Sequence, residues 1–295
     1  MTALRAKYIR DLAVRGRALR TQESYSSYVA DLARFHGRSP DLITYEEVVD
    51  WIHHLIGERH LAASSVNIAV NAVRFLYGTT LQRDVEALMA AIPRMKRNTR
   101  RAEAYARSEV EAILTAPVWP RDRVFLMTVY AGGLRLSEAT HVQTKDIDRP
   151  RMQLRIRYGK GGKERILPLS QRLLQELEEY WRAQRKGRPG HDSPWLFIGR
   201  DASQPISKDM GQVIYYRAVR KSGVRRKGGI HVLRHSFATQ LIESGVELTL
   251  VQRWLGHSSL LTTARYLHVT TARLETAQSP LDLIDLNRLS QPSRN

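Results

Sequence analysis

The sequence predicts a mainly α-helical chain of two domains with a small β-sheet in the second, an α+β fold. Three observations predict it. The chain has 295 residues, long for one ordinary domain and short for three. Apolar residues recur at helical spacing along most of its length, and one pair of short segments alternates as strands do. Between the halves stands PRMKRNTRRAEA (93–104), with five basic side chains, one acid and an opening proline. Proline disfavours helix in the residue before it, and like charges resist packing. The expected organisation is a helical domain over 1–92, a basic linker over 93–104, a mixed domain over 105–272 and a tail over 273–295.

The elements follow in order. Helix signals start near Leu4. Thr21 is placed to cap a helix carrying Tyr25, Tyr28, Val29, Leu32 and Phe35. Thr44 and Glu47 spell a capping box ahead of Val48, Val49, Ile52 and Leu55. Ser64 opens a further helix with Val66, Ile68, Val70, Val73, Leu76 and Tyr77. In the second domain Ser108 and Glu111 spell another capping box, and Arg123–Tyr130 reads as a buried helix ending at Gly132 and Gly133. Met152–Gly159 and Lys163–Ser170 alternate and are joined by Lys160, Gly161 and Gly162, which predicts a β-hairpin. Helices return at 171–184, about 207–222, 231–244, 249–255 and 260–268. Tyr130, Tyr158, Tyr215 and Tyr216 sit in apolar or alternating patterns and are expected in the core.

Composition narrows the function. There are no cysteines, which excludes disulfides, thiol nucleophiles and cysteine-ligated metal centres. No run of about 18 apolar residues exists to span a bilayer, and the arginine-studded N-terminus lacks the apolar segment of a secretory signal. A cytoplasmic protein is expected. Lys and Arg number 47 against 29 Asp and Glu, a formal +18. Such an excess points to nucleic acid as partner. A membrane-surface protein would need a helix with a basic face and an exposed apolar one, and none is evident. Residues 1–98 carry 14 basic and 10 acidic side chains, and 105–272 carry 28 and 15, so the excess belongs mostly to the second domain. Within it, Arg217–Lys227 holds six basic residues and no acid.

Metal-dependent phosphoryl transfer needs several carboxylates converging on divalent cations. The pair Asp146 and Asp148 falls in a turn before the hairpin, Glu178 and Glu179 on an exposed helix, and neither has an evident third ligand. His53, His54 and His60 lack carboxylates at ligand spacing. GKGGK (159–163) is too short for a nucleotide-binding P-loop. Neither a metal nor a cofactor is expected. What the second domain offers is cations: Arg135 after a double glycine at a helix start, where backbone N–H groups also favour an anion; Lys160 at the hairpin tip; His231 and Arg234 on one helix face; then His257 and Tyr266. Together they would make a cationic pocket with one good nucleophile.

AGGLRLSEA, GKGGKERILPL and HVLRHSFATQLIESGVELTLVQRWLGHSSLLTTARYLHV resemble the ordered catalytic motifs of the tyrosine recombinase (phage integrase) family, over residues 105–270. The preceding helical part resembles that family's SAM-like core-binding domain more loosely. The resemblance implies a two-domain clamp around double-stranded DNA, with Tyr266 attacking a phosphodiester to leave a 3′-phosphotyrosyl link. It assigns Arg135 and Arg234 to the non-bridging phosphate oxygens, Lys160 to the departing 5′-oxygen, His231 to proton exchange with the tyrosine and His257 to the phosphate. Glu138, one turn from Arg135, would orient it, and Lys163 competes with Lys160. His235 points to another face and is expected to be structural. Gln240 stands where many relatives have histidine. DNA-contact candidates are Arg94, Lys96, Arg97, Arg100 and Arg101 in the linker, then Lys163, Arg217, Arg220, Lys221, Arg225, Arg226 and Lys227. Site-specific strand exchange is the implied activity; relaxation by a type IB topoisomerase and non-catalytic DNA binding are the alternatives. No arm-binding domain is expected ahead of the first helices, and the expectation is a simple recombinase of a mobile element acting on short inverted repeats. The family also implies a dimer on one site, a tetramer in the synapse, and docking of the tail, with its spaced Leu281, Leu283, Ile284, Leu286 and Leu289, on a neighbouring protomer.

Overall fold

The computed structural model describes residues 2–92, 95, 103–157, 164–187, 189–264 and 266. The chain divides into two compact units, Met1–Arg100 and Arg101–Asn295.

The first unit is all helix. Helices α1 (Ala3–Val14), α2 (Leu19–His36), α3 (Tyr45–Gly57), α4 (Ala63–Phe75) and α5 (Glu86–Ala91) enclose Tyr8, Leu12, Leu32, Val48, Trp51, Leu55, Val66 and Val73. Two tyrosines tie the core to backbone. Tyr8 donates its hydroxyl proton to Ala72 O (2.9 Å), and the Tyr77 hydroxyl lies within hydrogen-bond distance of Pro40 O and Ile43 O. The Thr44–Glu47 capping box is present in both directions. Thr21, however, lies inside α2, whose N-cap is Ala18: the apolar stripe continues one turn upstream and extends the helix past its expected cap. The helix expected from Ser64 likewise starts one residue earlier, at Ala63, and a wide π-turn (Leu76–Thr80) continues α4.

The second unit packs helices about a three-stranded antiparallel sheet. In order come α6 (Arg107–Thr115), α7 (Pro120–Ala131), α8 (Leu136–Thr140), β1 (Ile147–Asp148), β2 (Gln153–Ile156), β3 (Arg165–Pro168), α9 (Gln171–Tyr180), α10 (Lys208–Ser222), α11 (His231–Glu243), α12 (Leu248–Leu255) and α13 (Leu260–Ala264). The expected hairpin is there, with Ile156 opposite Arg165 and Leu154 opposite Leu167. A third strand was not foreseen: Ile147 pairs with Leu154, so Asp148 lies in β1 rather than in a turn. Leu154, Ile156 and Leu167 face a core of Phe125, Phe197, Leu177, Ile214, Tyr215 and Leu233. A satellite cluster of Ala238, Ile242, Val251 and Leu255 joins α11 to α12.

Two local expectations shift. The capping carboxylate of α6 is Glu109, which accepts from the N–H of Ala106 (2.7 Å), two residues before the predicted box. Tyr216 is exposed, 41% of its surface, with the Arg226 guanidinium over its ring. Tyr215 is buried as expected and Tyr158 lies outside the described residues.

Candidate active site

The site forms where α8, β3, α11 and the end of α12 meet. Gly133 makes the turn into α8 with φ +53°, and a Cβ there would stand 2.4 Å from the Phe237 ring, so the close approach of α8 to α11 requires glycine. Arg135 follows as the N-cap of α8, and Glu138 folds back onto it. Glu138 Oε2 accepts from the Arg135 backbone N–H (2.8 Å), and Oε1 accepts from Arg135 Nη1 (2.8 Å). The predicted anion site at this helix start is thus filled by the protein's own carboxylate. The arginine side chain, itself bonded to Glu138, keeps 21% of its surface exposed.

Arg234, buried on α11, donates to Gly133 O (2.7 Å) and Leu255 O (2.6 Å) and lies 3.8 Å from Glu138 Oε2. Loss of water, and then the neighbouring positive charge of Arg135, bring its guanidinium down to about 10; Glu138 and Tyr266 oppose that drop. Even so it is charged at neutral pH. His231, one turn earlier on the same helix, is held below the usual imidazole range by desolvation, then by Arg234 and Arg135. A neutral imidazole beside two guanidiniums is able to accept a proton at neutral pH. Burial raises the Glu138 carboxyl, but hydrogen bonds and charge from Arg165 and Arg135 more than offset it, so Glu138 is held below the ordinary carboxylate value.

His257 follows α12, and its Nδ1 shares a hydrogen bond with the hydroxyl of buried Thr263 (2.9 Å). Tyr266 packs against the satellite cluster, its ring 5.0 Å from that of His235. His235 therefore contacts the candidate nucleophile, on a different face of α11 from His231 and Arg234. Lys160 and Lys163 lie outside the described residues, as do Arg94, Lys96, Arg97, Arg100 and Arg101. Arg135, His231, Arg234, His257 and Tyr266 are thus gathered from α8, α11 and the segment after α12.

The basic run divides. Arg217, Arg220 and Lys221 are exposed on α10. Arg225 pairs with Glu103, and Lys227 pairs with Glu109 (2.7 Å) and donates to Ala104 O (2.9 Å), leaving 9% of its side chain exposed. Lys227 thereby pins the segment entering the second unit. Tyr105 is held from α11 as well: its N–H donates to Ser236 Oγ (2.8 Å) and its carbonyl accepts from Gln240 Nε2 (3.0 Å). Gln240 thus holds the entering chain to the helix that carries Arg234.

Sequence reasoning missed Arg165. It stands on β3 and clasps both oxygens of Glu138 (2.9 and 2.7 Å) while its Nε donates to Trp254 O (2.7 Å). A signal existed: Arg165 is two residues before inward-facing Leu167, so alternation puts a cation on the buried face of the sheet. Among the described residues no cluster of three or more His, Asp or Glu is arranged to hold a metal, and no helix is long and apolar enough to cross a membrane.

Comparison with known proteins accords with this geometry. Residues 103–273 match the model of the phage integrase family, and residues 4–87 that of the phage integrase N-terminal SAM-like domain. An integrase/recombinase from Escherichia coli is 31% identical, over 90% of this chain and 89% of its own. Tyrosine recombinase XerA from Thermococcus kodakarensis is 31% identical, over 93% of each chain. Among solved structures, XerH site-specific recombinase bound to palindromic difH substrate superposes with a TM-score of 0.72 at 22% identity, covering 91% of this chain and 82% of that one. With the family's model covering more than half of it and relatives alike over nearly its whole length, the chain belongs to the phage integrase family of tyrosine recombinases.

Proposed function

We propose that the protein is a site-specific DNA recombinase that cuts and rejoins strands through a 3′-phosphotyrosyl intermediate. The Tyr266 oxygen bonds to phosphorus, the 5′-oxygen leaves with a proton from Lys160, and the 5′-hydroxyl of another strand reverses the step. The phosphotyrosyl bond conserves the energy of the broken phosphodiester, so rejoining needs no ATP. A phenol of pKa about 10 must fall by about three units to ionise at neutral pH, a cost of about 4 kcal/mol. Arg234 and Arg135 meet that cost electrostatically and then balance the charge that grows on the phosphorane. His231 takes the phenolic proton, His257 donates to a phosphate oxygen, and Glu138 orients Arg135. These cations perform the work that divalent metals do elsewhere. The observation that carries this reading is the pair of guanidiniums converging beside neutral His231, with Tyr266 close enough to Arg234 to bear on its ionisation.

The same reading divides the chain into a core-binding domain (1–92), a linker along the DNA (93–104) and a catalytic domain (105–272). It takes double-stranded DNA with short inverted repeats as substrate, and a tetramer of two dimers, bridged by residues 273–295, as the active assembly. Transposition or integration of a mobile element is the proposed setting.

The test is covalent trapping. Full-length protein is incubated with random-sequence duplexes carrying a 5′-bridging phosphorothiolate, and detergent-resistant adducts are recovered and sequenced. The wild-type chain should yield adducts on a defined site, whereas Tyr266→Phe should bind that site and yield none. Adducts that persist in Tyr266→Phe would move the nucleophile elsewhere.

A further inference from the structure

Three consecutive carbonyls close α12, and each accepts from a different arginine. Trp254 O takes Arg165 Nε (2.7 Å), Leu255 O takes Arg234 Nη2 (2.6 Å), and Gly256 O takes Arg135 Nη2 (3.3 Å). A helix C-terminus carries unsatisfied carbonyls and partial negative charge, so cations settle there. The same three guanidiniums surround Glu138, with Arg165 bidentate, Arg135 bonded through Nη1 and Arg234 3.8 Å away. Gly256, at φ +62°, turns the chain away, and a Cβ there would stand 3.3 Å from Arg165 Cδ and Nη1. His257 is the next residue.

The three arginines are not equivalent. A guanidinium has five N–H donors. Among the described residues, Arg135 and Arg234 each commit two of their donors to protein oxygens, and both belong to the proposed phosphate-facing set. Arg165 commits three, two of them to Glu138, and only 8% of its side chain is exposed. Its charge is directed inward at the carboxylate.

We propose that Arg165 is a positioning residue for strand cleavage: it saturates Glu138 and anchors the end of α12, so that Arg135, Arg234 and His257 are held toward the phosphate. Without it, the buried carboxylate has only the two phosphate-facing arginines to draw on and pulls them from the ligand. The inference rests on the recombinase reading above.

The test is a double-mutant cycle on the trapped duplex, with full-length Arg165→Met, Glu138→Gln and the double variant. Single-turnover adduct formation, DNA affinity and thermal unfolding are measured for each. Arg165→Met should bind DNA within about threefold of wild type and cleave about 100-fold slower, the size expected when reacting groups are displaced by about an ångström. Replacing the carboxylate removes the competitor, so the double variant should cleave about tenfold faster than Arg165→Met. A role in packing alone would leave the double variant as slow as, or slower than, Arg165→Met, and that result overturns the proposal. Wild-type cleavage by Arg165→Met overturns it too. Should Arg165→Met fail to fold, Arg165→Lys keeps one cation and loses the bidentate clasp; about tenfold slower cleavage by it, restored by Glu138→Gln, supports the proposal. An undiminished rate in Arg165→Lys overturns it. If the wild-type chain forms no adduct while Tyr266→Phe behaves identically, the recombinase reading itself has failed, which is a separate outcome.

Discussion

The two units of the molecule treat charge in opposite ways. Among the described residues of the first unit, the buried polar side chains are Ser26, Asn67 and Thr80, all neutral, and its ionic groups are half-buried, as Asp31 is, or exposed, as in the Arg20–Glu23 pair. The second unit buries Asp122, Glu138, Asp146, Glu176, Arg185 and Arg234. Taking a charge out of water is expensive unless it is compensated; five of these are in ion pairs, and Arg185 is met by carbonyls and the Trp181 ring. Asp146 holds Arg157 and the N–H of Gln143; Glu176 holds Arg123 and Arg172; Arg185 spans the carbonyls of Gly190, Ser193, Trp195 and Leu196. Burial of a charge therefore does not by itself identify a site. The Glu138 cluster differs in its balance, with three guanidiniums converging on one carboxylate. The positive charge gathered there exceeds what the one carboxylate neutralises.

The largest test of this contrast is Glu138→Ala, which leaves Arg165 and Arg234 buried without their counter-charge. It should destabilise the second unit by about 3–5 kcal/mol in denaturant titrations, whereas Arg20→Ala in the first unit should leave the unfolding curve unchanged. A native-like Glu138→Ala curve would break the comparison. The pH dependence has a definite sign. The folded Glu138 carboxyl is depressed, so its contribution is full above the unfolded value of about 4.3 and is lost as pH falls through the lower folded value. The stability gap between wild type and Glu138→Gln should accordingly narrow below about pH 4.

Next in size is Lys160→Ala. With a normal 5′-oxygen it should cleave about 100-fold slower, and a 5′-bridging sulfur, which leaves without a proton, should restore most of the rate. Equal defects on both substrates would transfer the acid role to Lys163. A smaller effect concerns His231. Because lost hydration, and then its positive neighbours, favour the neutral ring, the acid limb of the cleavage rate should lie below about pH 6.5 and disappear in His231→Gln. A limb at or above that pH would mean that neither burial nor Arg234 and Arg135 acts on the ring.

The smallest effects should come from α10. Arg217→Ala, Arg220→Ala and Lys221→Ala should each weaken binding uniformly across sequences and reduce the salt-dependence slope by about 0.9. Lys227→Met, whose cation is already paired with Glu109, should lower the melting temperature and leave that slope unchanged. A slope change in Lys227→Met would show that its charge reaches the DNA after all.

Much of the candidate site was legible because it is assembled from short motifs with local causes. A double glycine turns the chain into α8, and helical spacing puts His231 and Arg234 on one face. Arg165 was not legible as a partner of Glu138, because 27 residues of chain and a strand pairing separate them. Thr21 misled for a related reason: capping chemistry competes with the apolar stripe, and packing of α2 decides where the helix begins. Tyr216 sits in the same apolar stretch as Tyr215, yet adjacent positions on α10 face different environments.

The sequence by itself determined the helical first unit, the hairpin, the excess of positive charge and the order of the cationic motifs, since these depend on composition and on neighbours a few residues apart. Only the tertiary structure decided which cations face inward and which stay exposed. That choice rests on desolvation and on distances between groups far apart in the chain. Arg165, Lys227 and Arg135 are alike as basic residues in the sequence. In the folded protein the first saturates a carboxylate, the second fastens the chain entering the second unit, and the third divides its donors between Glu138 and the end of α12.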